Sequence, residues 1–299
     1  MKMNKNLCST KRRTVTITFG DVAENGVGME QIGEMAQRGF SREEMEECEI
    51  RLRSMGFQVE KILLSAELDN ALTDHIDSNL VAEARSTNPI ILIVRKGVNQ
   101  IFSDPENGAD CLLAEQQDLN WDVKKMNKGK VMNSLARHNL CYGAEASDPN
   151  YDQKRGRVIA FESVPLLNHV REWLPTVLGE SAEKLNAEGN LYYDIQKCAI
   201  GFHGDGERRK VIAFRLGETF PLHYQWYYKS QPVGLRMTFM LNHGDFYIMS
   251  DKSVGNDWKI RNQLTLRHAA GSADKYIDAP LRRKEKKKEK KTRKRERDE

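Results

Sequence analysis

Residues 192–210 read YYDIQKCAIGFHGDGERRK, and they hold the most informative pattern in the chain. The AIGF segment has the composition of a β-strand, and His203 and Asp205 follow it two positions apart. Alternate residues of a strand face the same way, so we expect this imidazole and this carboxylate to point into one cavity. A further histidine from a distant strand would complete a set of ligands that binds iron(II) and leaves coordination positions open.

Short β-branched and aromatic segments surround this stretch, and Gly, Pro, Asn and Asp separate them. They are RVIAF (157–161), KVIAFRLG (210–217), MTFML (237–241), DFYIM (245–249) and LTLRHAA (264–270). The residues from Val164 to Leu178 carry apolar side chains at helical spacing. Many short strands with turn residues between them predict an antiparallel sandwich or barrel, here with a helix packed outside.

The N-terminal part has a different texture. TVTITF (14–19), FQVEKILL (57–64) and IILIV (90–94) indicate strands. Residues 29–55 have helical spacing, broken at Gly39 into two predicted helices, and Ser41 with Glu44 forms a capping box for the second. We therefore predict a small α/β domain of unknown role over residues 14–105, ending near the hydrophilic stretch 103–109.

Charge is concentrated at the C-terminus. Of the 299 residues, Leu281–Glu299 contains 12 Lys and Arg against 5 Asp and Glu, so it contributes +7 and leaves −3 for the rest of the chain. A segment this polar is predicted to be a disordered tail, whether a nuclear-import signal, a nucleic-acid tether or a solubilising end. The chain lacks a membrane-length apolar run and an apolar leader, and its five cysteines form no CxxC pair. These features predict an intracellular protein, in the nucleus or cytoplasm, with no membrane partner.

The motifs together resemble the AlkB-like branch of the 2-oxoglutarate/iron(II) dioxygenases. The resemblance covers residues 118–277 and rests on IGFHGDGE (200–207), the following strand KVIAFRLG, the NHGD turn (242–245) and TLRHAAG (265–271). It implies an α+β protein in which a double-stranded β-helix, or jelly roll, over residues 115–279 forms the catalytic domain after the small α/β domain.

By this resemblance His203 and Asp205 are the first two iron ligands, and Tyr193 lies near the 2-oxoglutarate carboxylates. The third ligand is open, because the loop SDKSVGNDWK (250–259) lacks the histidine that the family has there. In the preferred assignment His268 is the ligand and Lys275 binds the distal carboxylate. In the alternative, Arg261 and Arg267 match the family's paired arginines, and the third ligand is lost or replaced by Asp257.

The resemblance implies iron(II), 2-oxoglutarate and O₂ as reactants in an oxidative demethylation or hydroxylation. A methylated or alkylated nucleobase in DNA or RNA is the expected substrate, with Tyr142 and Trp258 as candidate stacking residues and Arg208 and Arg209 as candidate phosphate contacts. A methylated protein side chain is the alternative substrate, and a non-catalytic scaffold on a degenerate dioxygenase fold is the alternative function. The body's charge of −3 argues against a nucleic-acid enzyme, whereas the basic tail favours one.

Overall fold

The protein is an α+β structure dominated by antiparallel sheets. The computed structural model describes residues 12–26, 28–68, 73–127 and 129–278; the predicted tail, 281–299, lies outside them. Within these ranges no helix has the length and apolar character needed to cross a membrane.

Sixteen strands lie within the described residues. In chain order they are β1 (Thr14–Gly20), β2 (Val22–Glu24), β3 (Gln31–Gly33), β4 (Gln58–Leu63), β5 (Ile90–Arg95), β6 (Lys124–Asn127), β7 (Lys130–Asn133), β8 (His138–Gly143), β9 (Val158–Ala160), β10 (Asn186–Tyr192), β11 (Ala199–His203), β12 (Val211–Gly217), β13 (Phe220–Tyr228), β14 (Gln231–Leu241), β15 (Phe246–Met249) and β16 (Thr265–Gly271).

These strands form two main sheets. The larger has eight strands in the order β4-β5-β15-β12-β1-β10-β8-β9, and the smaller has four in the order β11-β16-β13-β14. All neighbouring strands in both sheets are antiparallel except β8 and β9. The strands β2 and β3 form one separate hairpin, and β6 and β7 form another.

The described α-helices connect these strands. They are α1 (Arg42–Ser54), α2 (Ser78–Ser86), α3 (Gly97–Ile101), α4 (Gly108–Gln117), α5 (Pro165–Trp173), α6 (Pro175–Leu178), α7 (Asp251–Val254) and α8 (Asp274–Ile277). The predicted helix 164–178 is present as α5 and α6, and the second of these begins with Pro175, which cannot donate a backbone hydrogen bond.

The two main sheets pack face to face, and helices cover the outer face of the larger one. Alternate residues of β12 show this division: Val211 and Ala213 join a core shared with Leu222, Tyr224 and other residues of the smaller sheet. Their neighbours Ile212, Phe214 and Leu216 join a core shared with α1 and α5. Strand alternation thus gives β12 two buried faces.

The prediction of a separate α/β domain over residues 14–105 is corrected by the sheet order. Three strands of that segment, β1, β4 and β5, lie in the larger sheet, and β1 pairs with β10 on one side and β12 on the other. Sequence patterns identified these strands but contain no information on which distant strand each one joins. The N-terminal segment is therefore part of the wall that faces the smaller sheet.

The first of the two helices predicted within residues 29–55 is also absent from the described structure. The strand β3 lies there instead and pairs with β2, so strand pairing overrode the helical spacing. The second prediction is confirmed: α1 begins after Ser41, whose hydroxyl accepts from the Glu44 N–H while the Glu44 carboxylate accepts from the Ser41 N–H.

Candidate metal centre

Three side chains that can bind a metal meet where β11 and β16 pair. The register places His203 directly opposite His268, and their ring centroids are 4.5 Å apart. Asp205 follows β11 by two residues, and its Oδ1 lies 3.5 Å from Nε2 of each histidine. The potential ligand atoms of all three lie within 4.8 Å of one another. The two histidines are neighbours because cross-strand partners in an antiparallel pair face the same side.

Of the two candidates for the third ligand, the structure places His268, and not Asp257, beside His203 and Asp205. The alternative, Asp257, is occupied elsewhere: its Oδ2 accepts from Lys252 Nζ at 2.5 Å and from Gln263 Nε2 at 2.7 Å. The described residues contain no other group of three or more His, Cys, Asp or Glu side chains placed like this one.

Hydrogen bonding orients the His203 ring. Its Nδ1 lies 2.8 Å from the Gly201 carbonyl oxygen. A carbonyl only accepts, so Nδ1 carries the proton and Nε2 keeps a lone pair for a metal. His268 is buried, and its Nδ1 has no hydrogen-bond partner among the described residues. The other ring nitrogen, Nε2, is the one that lies beside Asp205 and is positioned as a potential ligand.

The cluster holds the protonation states that metal binding needs. Burial alone would raise the pKa of Asp205, but its interactions with the His268 and His203 rings and with the Arg208 guanidinium lower that pKa well below its usual value. Burial lowers the pKa of His268, because it disfavours the imidazolium. The expected state at neutral pH is a carboxylate beside a neutral imidazole, and two nitrogens with one carboxylate oxygen are a donor set that fits iron(II).

A close contact between two loops positions Asp205. The backbone of Gly204 lies against that of Gly255, and a Cβ on Gly204 would be 2.0 Å from the Gly255 carbonyl oxygen. The Asp205 N–H donates to the Val254 carbonyl at 3.1 Å. The Asn256 amide donates to the carbonyls of Asp205 and Arg208, each at 3.1 Å. The loop that follows α7 therefore holds the HGDGE loop in place.

Arg208 belongs to this support and not to a phosphate contact as predicted. It is buried, and its Nη2 lies 2.5 Å from Glu188 Oε2 and 3.1 Å from Glu207 Oε1. Its Nε is 3.7 Å from Asp205 Oδ2. These carboxylates neutralise the guanidinium and occupy the donors that a phosphate would need.

A cavity of about 1330 Å³ opens beside the three ligands, between the two sheets. The larger sheet contributes Thr16 and Thr18 of β1, Glu188 and Asn190 of β10, Arg215 of β12 and Tyr247 of β15. The smaller sheet contributes His268 and Ala270, among others. The candidate metal centre thus faces a space large enough for organic molecules.

Trp258 and Arg267 are among the residues that line this cavity, but Arg267 does not share the face of its neighbour His268. Consecutive strand residues point to opposite faces, and the guanidinium stacks on the Tyr227 ring at 4.1 Å while Nη2 donates to the Trp258 carbonyl at 3.1 Å. The Arg267 side chain therefore points to the face of β16 opposite to that of His268 and reaches the cavity lining beside Tyr227 and Trp258.

The other residues predicted to bind 2-oxoglutarate are not brought to the cavity. Tyr193 stacks on His138 with centroids 4.6 Å apart, and its hydroxyl donates to the Leu135 carbonyl. Lys275 is exposed on α8, and Arg261 is exposed in the loop before β16. Tyr193 and Arg261 lie in loops and Lys275 lies on a short helix, so their side chains point away from the cavity. The spacing of the motifs contains no information on these directions.

Two predicted substrate contacts are also corrected. Tyr142 of β8 is fully buried on the helix-covered face, where its hydroxyl donates to Gln116 Oε1 at 2.6 Å. Arg209 does not line the cavity; its guanidinium lies 3.8 Å from Asp251, and its N–H donates to the Asp21 carboxylate.

Sequence reasoning missed the polar inner face of the larger sheet. Arg215 is fully buried there, opposite Thr16 in the register of β1 and β12. The sequence of β1 contains a pattern that could have predicted this face. TVTITF places threonine at every second position, while the other face of the strand is apolar. A polar face on a buried strand indicates a cavity.

No family model matches the chain. The chain is 44% identical over 270 residues to "Uncharacterized protein R156" of Acanthamoeba polyphaga mimivirus, an alignment that covers 89% of this chain and 98% of the viral protein. The chain belongs to the same protein family as this mimivirus protein.

Proposed function

We propose that the protein is an iron(II)- and 2-oxoglutarate-dependent dioxygenase. The observation that carries the proposal is the convergence of His203, Asp205 and His268 beside a large cavity. Two histidines and one carboxylate on a single face of the metal leave positions free for a cosubstrate and O₂. The antiparallel sheets packed face to face are compatible with the jelly roll that the motifs imply.

With iron(II) bound, 2-oxoglutarate and O₂ would be converted to succinate and CO₂ while a substrate C–H bond becomes C–OH. On an N-methyl group, the resulting hydroxymethyl compound releases formaldehyde and leaves the N–H. The chain's own contribution is to hold the three ligands close together and to keep Asp205 fixed through Asn256 and Gly204. The cavity walls then orient the substrate and limit the access of water.

We propose a methylated or alkylated nucleobase as the substrate. Two cations line the cavity: Lys154, which is exposed, and Arg137, which is half-buried. The β6–β7 hairpin (124–133) adds two exposed lysines, Lys124 and Lys130. The hairpin lies near Lys154, because Lys124 Nζ is 5.9 Å from the ring of Tyr151, which precedes Lys154 by three residues. Lysines in such positions attract a phosphate backbone.

The alternative of a non-catalytic scaffold rested on an uncertain third ligand. The pairing of His268 with His203 supports a complete set of three ligands and so favours the enzyme over this alternative. A methylated protein side chain remains an alternative outcome of the substrate test.

The test loads the full chain anaerobically with iron(II) and adds ascorbate and labelled 2-oxoglutarate. Methylated DNA and RNA oligonucleotides and a methylated peptide are offered separately, and succinate, formaldehyde and bound iron are measured. We expect stoichiometric iron, succinate and formaldehyde with an oligonucleotide, and loss of all three in His268→Ala. Formaldehyde from the peptide alone would replace the nucleobase with a protein substrate.

The matched control is His243→Gln. His243 lies outside the ligand cluster and accepts from the Gly217 N–H through Nδ1, a role that a glutamine oxygen can take. The His243→Gln variant should bind iron like the parent chain. Absence of iron from the parent, or full iron retention in His268→Ala, would reject the proposed centre.

A further inference from the structure

We infer that Arg215 and Thr16 form a carboxylate-binding site on the inner face of the larger sheet. The inference rests on the proposed function for the identity of the acid, 2-oxoglutarate, whereas the charge of the ligand follows from the structure alone. The ligand class is a small organic dicarboxylate with one carboxylate at Arg215 and the other end toward the metal centre.

Arg215 is a buried cation with no carboxylate in ion-pair contact among the described residues; the charge of Asp245 acts on it at longer range, but that carboxylate is paired with Arg95. Its exposed fraction is 1%, it forms no ion pair within the described part of the chain, and its Nε has no hydrogen-bond partner there. Its Nη1 donates to the Thr16 hydroxyl, and its guanidinium lies 5.2 Å from the Phe220 ring. A buried charge without an ion-pair partner is unfavourable, so the structure favours the arrival of an anion.

The second buried arginine of the cavity provides the contrast. Arg208 is held by Glu188 and Glu207, whereas no carboxylate holds Arg215. Both line the same cavity. The free donor of Arg215 is therefore a property of this position and not of the cavity as a whole.

The chemistry of the position suits a carboxylate. Guanidinium donors form a planar fork that matches two carboxylate oxygens. Burial lowers the pKa of Arg215, yet a guanidinium stays protonated at neutral pH, so a bound anion would recover the lost solvation energy. The hydroxyl-bearing rings of Tyr192 and Tyr247 line the cavity close enough to affect the same pKa.

This site gives the N-terminal strand a role. Thr16 is opposite Arg215 because β1 lies between β10 and β12 in the larger sheet. The Thr16 hydroxyl holds the guanidinium in place, so we regard Thr16 as a positioning residue.

The experiment measures binding and not turnover. The full chain, with manganese(II) or without metal, is titrated with 2-oxoglutarate and with N-oxalylglycine by calorimetry. The variants are Arg215→Met, Arg215→Lys and Thr16→Val, with Lys275→Met and Arg261→Met as matched controls that remove exposed cations. We expect Kd to rise about 10- to 150-fold in Arg215→Met, the range for a hydrogen-bonded charge. A smaller rise is expected in Arg215→Lys and Thr16→Val, and less than about twofold change in the controls.

Thermal unfolding separates a binding role from a merely structural one. Arg215→Met removes an unpaired buried charge, so its ligand-free Tm should equal or exceed that of the parent, while the ligand-induced rise in Tm should disappear. If Arg215 were only structural, Tm without ligand would fall; that result, or unchanged Kd in Arg215→Met, overturns the inference.

The outcomes also separate this inference from the proposed function. Turnover of 2-oxoglutarate with unchanged Kd in Arg215→Met would reject the site and keep the enzyme. Arg215-dependent binding of dicarboxylates without any turnover would support the site and reject the enzyme. A parent chain that binds no dicarboxylate in either metal state would reject both.

Discussion

Gly204 allows the HGDGE loop to approach the loop that follows α7. Its backbone lies so close to Gly255 that the ideal Cβ position falls 2.0 Å from a carbonyl oxygen, and backbone cannot move aside as a flexible side chain can. The glycine between His203 and Asp205 is therefore required by packing. Its neighbour Gly206 is in open surroundings, where the nearest atom to a Cβ would be Trp258 Nε1 at 3.7 Å.

We predict that Gly204→Ala destabilises the protein by about 1–3 kcal/mol, the usual cost of overpacking, and weakens metal binding because Asp205 shifts. Gly206→Ala, a matched substitution two residues away, should change neither property. Urea unfolding and metal titration of both variants provide the measurement. Equal behaviour of the two alanine variants would contradict the packing argument.

The segment from α7 to Trp258 supports the HGDGE loop, which carries two of the three proposed metal ligands. Asn256 provides two amide hydrogen bonds to the carbonyls of Asp205 and Arg208, and Val254 accepts from the Asp205 N–H. Groups that orient metal ligands typically affect metal affinity by 10- to 100-fold.

Asn256→Ala should therefore lower metal affinity by about 10- to 100-fold with a modest loss of stability. Asn262→Ala, an exposed asparagine in the same region, is the control and should bind metal normally. The measurement is competition with a metal-sensitive dye. Parent-like affinity in Asn256→Ala would show that the loop does not depend on this amide.

Glu44, in the first turn of α1, makes a contribution to folding stability that depends on pH. Burial alone would raise the pKa of Glu44, but hydrogen bonds from Arg38, Ser181 and the Ser41 N–H lower it to about 2. A carboxyl group whose folded pKa is lowered stabilises the fold above its unfolded pKa and loses that contribution as pH falls through the folded value.

We predict that Glu44→Gln removes this pH dependence. The free-energy difference between parent and variant should be constant above about pH 5 and should shrink between the ordinary glutamate pKa, near 4.3, and about 2. Glu47→Gln, on an exposed position of the same helix, is the control. A gap that widens on acidification would contradict the assigned sign. Chemical unfolding from pH 7 to pH 2 tests this.

The larger sheet joins both parts of the chain into one architecture. Strands of the N-terminal segment are interleaved with strands of the motif-bearing segment. The N-terminal β5 pairs with β15, and the N-terminal β1 lies between β12 and β10. Removal of the N-terminal segment would expose one edge each of β15, β12 and β10, and it would open the inner wall of the cavity.

A fragment of residues 115–279, the domain predicted from sequence, should therefore fail to unfold cooperatively and should not bind metal. The control fragment 1–280 retains every described element and should do both. Circular dichroism during heating and metal titration distinguish them. A cooperative, metal-binding fragment 115–279 would show that β1, β4 and β5 are dispensable.

By itself the sequence determined the features that depend on neighbours along the chain. Strand composition, the capping box of Ser41 and Glu44, and the two-residue spacing of His203 and Asp205 follow from local geometry. It also offered His268 as one of two open assignments for the third ligand, 63 residues after Asp205.

Only the tertiary structure decided which distant strands pair. Because β11 pairs with β16, His268 lies opposite His203, and its neighbour Arg267 points to the other face. Because β1 pairs with β12 in the middle of the larger sheet, Thr16 and Arg215 lie side by side on its inner face. The physical reason is that spacing along a chain fixes the direction of a side chain only relative to its own element. The register between remote strands comes from the burial of many side chains at once, and a one-residue change in register would reverse every face.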